Sequence, residues 1–158
     1  MNARMKRRLF LKGSLAGSAV GVAVGAGLLA PQSVLAAAWP AAGFEAKKIE
    51  DSIAGSMGSA TTEATDKITV KAPDIAENGA VVPVTVSTDL AAESIAVIAE
   101  QNPAPLAALF EMGPGTEGFV STRIKMGKTG DVVAVVKAGG KLYSARKSVK
   151  VTIGGCGG

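Results

Sequence analysis

Residues 132–153 read Val-Val-Ala-Val-Val-Lys-Ala-Gly-Gly-Lys-Leu-Tyr-Ser-Ala-Arg-Lys-Ser-Val-Lys-Val-Thr-Ile, and this stretch decides the fold. Val132 to Lys137 is a β-branched run. Ala138-Gly139-Gly140-Lys141 is a turn signal. Leu142 to Ile153 is a second run, with Val149, Val151 and Ile153 on one face. Two such runs around a Gly-Gly centre predict a hairpin. The same pattern recurs upstream. Ile68-Thr69-Val70, Ala80 to Thr88, Glu93 to Glu100, and Gly118 to Met126 read as strands, and Leu106 to Met112 as strand or helix. Turn signals separate them at Glu77-Asn78-Gly79, Asn102-Pro103, Gly113-Pro114-Gly115 and Gly127 to Gly130. About seven short strands spaced near ten residues predict an all-β chain, an immunoglobulin-like antiparallel β-sandwich. Pro83 within a run predicts an edge or bulge. Phe44 to Ser56 places Phe44, Ile49 and Ile53 at helical spacing and predicts a short N-terminal helix, ended by Gly55-Ser56-Met57-Gly58.

The first 38 residues read as an export signal. Lys6-Arg7-Arg8-Leu9-Phe10-Leu11-Lys12 is a twin-arginine pattern, Gly13 to Ala30 is a mildly apolar run, and small residues follow. Cleavage is expected after Ala36 or Ala38. The alternative is a retained membrane anchor, which the dispersed glycines weaken. The expected organisation is a signal over 1–38, a helical segment and linker over 39–66, a sandwich over 67–153 and an arm over 154–158. A twin-arginine address implies export of a folded chain, here to the periplasm, with no membrane association after cleavage. The whole chain carries 17 basic and 13 acidic residues, but the signal holds Arg4, Lys6, Arg7, Arg8 and Lys12 and no acid. Removing those five leaves 12 bases against 13 acids, a formal charge near −1. The basic pI thus belongs to the signal, and nothing points to nucleic acid.

The chain ends in Gly154-Gly155-Cys156-Gly157-Gly158, which contains its only cysteine. Four flanking glycines give the sulfur no neighbouring side chains, so the end reads as a flexible arm. From Ile153 to Cys156 the arm spans at most roughly 10 Å. One cysteine forms no internal disulfide, and in an exported chain it points to an intermolecular bond or a reactive thiol. Three readings stand on composition: an incidental tail, a disulfide-linked dimer, and a covalent carrier site. No enzyme site assembles. There is no histidine, which excludes Cys–His catalysis and leaves no metal-ligand set. No cofactor site is legible either. Gly127-Lys128-Thr129-Gly130 lacks the spacing of a phosphate loop and reads as a hairpin turn. Glu50 and Asp51 read as solvated surface. Arg146, Lys147 and Lys150 read as charge protecting a strand, or as a positive potential near the arm. No cation adjoins Cys156, so its activation would come from a partner's active site.

Ala76-Glu77-Asn78-Gly79, Val81-Val82-Pro83-Val84 and the closing Val149-Lys150-Val151-Thr152-Ile153-Gly154-Gly155-Cys156-Gly157-Gly158 resemble the SoxY family, with no departure from its terminal motif. The family comprises sulfur-carrier subunits of the bacterial thiosulfate-oxidising Sox system. The resemblance implies an immunoglobulin-like fold and a heterodimer with a SoxZ-like subunit. It implies that Cys156 is the covalent sulfur attachment site, with Gly154, Gly155, Gly157 and Gly158 forming the carrier arm. It also implies transient partners: the haem protein SoxXA, the hydrolase SoxB and, where present, SoxCD. The chain would be a non-catalytic carrier. Two alternatives remain: an exported structural sandwich whose cysteine cross-links subunits, and a carrier that holds sulfur as a thiocarboxylate on Gly158. Phe119, Met112 and Met126 are candidates for the subunit interface, with membership of the domain's own core as the competing reading.

Overall fold

In the computed structural model, residues 39–152 are described. The expected signal, Ile153 and the arm bearing Cys156 lie outside the described residues. All seven expected strands are present: β2 (Ile68–Lys71), β4 (Val82–Thr88), β5 (Ser94–Ala99), β6 (Leu106–Glu111), β7 (Phe119–Ile124), β8 (Gly130–Ala138) and β9 (Lys141–Val151). Leu106 to Glu111 is resolved as strand, paired to β5 through Ile95↔Phe110 and Val97↔Ala108. Two further strands, β1 (Glu63–Ala64) and β3 (Ile75–Ala76), have only two residues each.

The strands form two sheets. One runs β1-β9-β8-β5-β6, with β3 also on β9, and the other runs β2-β4-β7. The β8–β9 hairpin closes with Ala138 opposite Lys141. Gly139 and Gly140 both have positive φ, 58° and 75°, as a two-residue turn between right-twisted strands requires. The segment before β4 changes sheets. It pairs parallel to β9 as β1, crosses to β4 as β2, and returns parallel to β9 as β3. Gly127 to Thr129 is not a hairpin turn, because β7 and β8 lie in different sheets. This segment crosses between the sheets, and Met126, 2% exposed, is buried at its start.

Pro83 lies in β4, the central strand of its sheet, yet its missing N–H is harmless. Thr88 N–H donates to the Gly118 carbonyl on the β7 side. By alternation the Pro83 nitrogen faces the opposite edge. There β2 has already ended, at Lys71 opposite Thr85. Pro83 is therefore at a local edge of an otherwise central strand.

Between the sheets, Val82, Val84 and Val86 of β4 pack with Ile95 and Val97 of β5 and with Val132, Ala134 and Val136 of β8. The other face of the large sheet is also covered. Helices α1 (Ala41–Glu45) and α2 (Ile49–Met57) lie on it, and Ile53 and Met57 pack with Ala96, Ile98, Leu106, Val133, Val135 and Leu142. The N-terminal helix expected from the sequence is thus two helices, broken where Ala46 and Lys48 adopt extended ψ values of 148° and 150°. Gly43 and Gly55 bring them together, since a Cβ on Gly55 would stand 2.7 Å from the Gly43 nitrogen. Glu50 and Asp51 are exposed in the first turn of α2, where carboxylates favour the helix dipole. Trp39 stacks on Phe44 at 4.4 Å between ring centroids. Every residue of β5 is buried for this reason: its two faces serve two different cores. No helix among the described residues is long and apolar enough to cross a membrane.

Candidate functional site

The last described residues, Lys150 to Thr152, form the root of the C-terminal arm, and both edges of β9 hold them. On one edge, Lys150 N–H donates to the Asp74 carbonyl at 2.9 Å and Thr152 N–H to the Ala76 carbonyl at 3.0 Å. On the other, Val151 N–H donates to Thr129 Oγ1 at 2.9 Å, and the Thr129 hydroxyl donates to the Val151 carbonyl at 3.2 Å. Val149 is wholly buried between the sheets. The chain is therefore fixed to within four residues of Cys156.

Gly79 completes this anchorage. Its carbonyl accepts from Met126 N–H at 2.7 Å. A Cβ there would stand 2.4 Å from the Met126 carbonyl oxygen and 2.8 Å from Val151 Cγ1. The first contact is with backbone, which side-chain rotation cannot relieve. We expect Gly79→Ala to cost about 1–3 kcal/mol, seen as a lowered urea midpoint with an unchanged slope.

The three cations of the closing strand differ in environment. Arg146 lies 3.6 Å from Glu100 and 3.9 Å from Asp131, and Lys147 bonds to Asp74. Lys150 is exposed and has no ion-pair partner among the described residues. The hydrogen bond from Lys147, then its charge, lowers the Asp74 pKa below the ordinary carboxylate value. A depressed folded-state pKa means the pair stabilises the fold above the unfolded-state value, and that contribution disappears as pH falls through the folded value. Asp74→Asn is expected to lower the melting temperature slightly near neutral pH, with the difference vanishing in strong acid. The pair is at the surface, so the effect is small.

The sequence-derived interface candidates separate. Met126 is core, Met112 is partly buried against the same core, and Phe119 is 55% exposed. Phe119 alternates with buried Val120 and so lies on the outer face of the β2-β4-β7 sheet, opposite Ser87. Sequence reasoning missed Ile75, Val81 and Thr129 at the arm root. The signal for Ile75 was available only as the two-residue apolar run Ile75-Ala76 between Asp74 and Glu77, too short to read as strand. Among the described residues no three His, Cys, Asp or Glu side chains gather as a metal site. Cys156 and its four flanking glycines lie outside the described residues.

A search of curated proteins found no match. Among solved structures, the sulfur carrier protein SoxY from Chlorobium limicola f thiosulfatophilum is similar, with 47% identity over 67% of this chain and 97% of its own, and a TM-score of 0.61. A superoxide reductase (neelaredoxin) from Ignicoccus hospitalis is 20% identical over 58% of this chain and 95% of its own, with a TM-score of 0.51, a likeness of fold alone. The family model described as "Sulfur oxidation protein SoxY" matches residues 53–156, from the middle of α2 through the terminal cysteine. With its two-layered β-sandwich and a close sulfur-carrier relative of the same architecture, the chain belongs to the SoxY family.

Proposed function

We propose that this chain is a covalent carrier of sulfur in thiosulfate oxidation, with Cys156 as the attachment point and no catalytic activity or cofactor of its own. Its 47% identity to a sulfur carrier protein carries this reading, joined to a terminal Gly-Gly-Cys-Gly-Gly that the family model reaches. In the cycle, the Cys156 thiol and thiosulfate join in a new S–S bond, releasing one proton and two electrons to a haem enzyme of SoxXA type. Water then cleaves the outer S–S(O₃) bond at a SoxB-type hydrolase, giving sulfate and leaving a persulfide on the carrier. Where a SoxCD-type dehydrogenase is present, it oxidises the outer sulfur further, and a second hydrolysis restores the thiol.

The glycines make chemical sense of serving several enzymes. A narrow end without side chains enters different pockets through backbone contacts. Ordering such an end costs entropy at each visit, which limits affinity and favours release. A SoxZ-like subunit is the proposed stable partner, and the periplasm the proposed location, reached through the twin-arginine signal with cleavage after Ala36 or Ala38.

Intact-mass and peptide mapping of the native protein test this. The expected result is sulfur or sulfonate mass on the Cys156 thiol, removed by a thiol reductant. Adduct on the Gly158 carboxylate instead would establish a thiocarboxylate carrier. A thiol found only in disulfide-linked dimers, with turnover indifferent to their reduction, would establish the cross-linking protein.

A further inference from the structure

Exposed apolar side chains and unpaired cations surround the arm root. Ile75 is 57% exposed and Val81 51%. Ile75 is registered opposite Lys150, and Val81 closes the turn begun at Asn78, whose Gly79 packs on Val151. Lys125, Lys128 and Lys150 are exposed here and have no ion-pair partner among the described residues. Lys125 precedes Met126, which bonds Gly79, and Lys128 precedes Thr129, which holds Val151. Among the described residues of this end, Glu77 is the exposed acid outside an ion pair. The part of the chain after the signal is nearly neutral, so this is a local segregation of charge.

Covalent length makes this collar unavoidable for a partner. From Thr152 to Cys156 is four residues, at most about 14 Å fully extended. An enzyme that takes the sulfur into a pocket about as deep as that span must bring its rim against Ile75, Val81 and the lysines. We propose that this collar is a docking surface for the enzymes that act on the arm, fitting a pocket mouth that is apolar at its lip and ringed by carboxylates. The inference rests on the carrier reading. The collar supplies affinity that a bare glycine arm lacks, and its charge steers the approach.

The test uses the mature chain with its companion subunit, loaded with thiosulfate-derived sulfur, and measures sulfate release by the cognate hydrolase. Ile75→Ser/Val81→Ser is expected to lower kcat/KM about tenfold or more, through KM, with kcat kept at saturation. Lys125→Glu/Lys128→Glu/Lys150→Glu is expected to lower kcat/KM at low salt and to abolish its decline with ionic strength. The alkylation rate of unloaded Cys156 by iodoacetamide should be unchanged in both, which excludes an effect on the thiol itself. Unchanged kcat/KM in both variants overturns the docking surface and leaves the carrier reading intact. Loss of the companion subunit on size exclusion also overturns it, assigning the collar to the heterodimer. If the hydrolase does not act on the loaded unsubstituted chain, the carrier reading fails and the inference with it.

Discussion

A chain carrying Cys156→Ser is expected to take up no thiosulfate-derived sulfur and to support no thiosulfate oxidation above background. The loss should be complete and not graded. A serine oxygen cannot replace sulfur in the S–S bond that holds the cargo, and no second cysteine exists to substitute. Stability should be indifferent, with a change within about 0.5 kcal/mol. Both described cores are assembled from residues up to Val151. Comparing melting curves with turnover checks both parts together. A Cys156→Ser chain that still sustained oxidation would refute the carrier reading outright.

The largest expected effect on stability is at Ile98. It is fully buried on β5 and packs in the cluster that joins α2 to the large sheet. Truncation to alanine removes three carbons from a site walled by Ile53, Met57, Leu106, Val133 and Val135. The cost is about 2–5 kcal/mol, the transfer term plus the residual cavity. For a domain of this size that lowers the melting temperature by roughly 10 °C or more. The helical and β signals in circular dichroism should fall together, because the helices share a core with the central strands. Separate transitions would show that α1 and α2 are an appendage.

The strands were legible because most are long enough to show period two or carry β-branched runs. Val120 and Ile124 are buried and Phe119, Ser121 and Arg123 exposed, as their alternation requires. The second core was not read. Its sign was present: Ile95 to Ala99 and Val132 to Val136 are apolar without alternation, the pattern of strands covered on both faces. Position in the chain hid the cover, since a segment before the first strand read as helix and linker. β1 and β3 were illegible for a different reason. Two residues show no period, and their pairing depends on the edge of β9 far along the chain. The carrier end, Gly154 to Gly158, is a reading of sequence alone, since those residues lie outside the described ones. The surroundings of Val151 were not legible, because Ile75 and Gly79 are brought to β9 by topology alone.

The attachment of β9 has a mechanical consequence. On the proposed carrier reading, an enzyme holding the loaded end would pull along this strand. Nine registered pairs join β9 to β8, and their hydrogen bonds lie across the direction of pull. β1 and β3 brace the opposite margin, parallel to it. Such tension shears many bonds at once and does not peel them singly, so the sandwich resists traction while its tip is gripped.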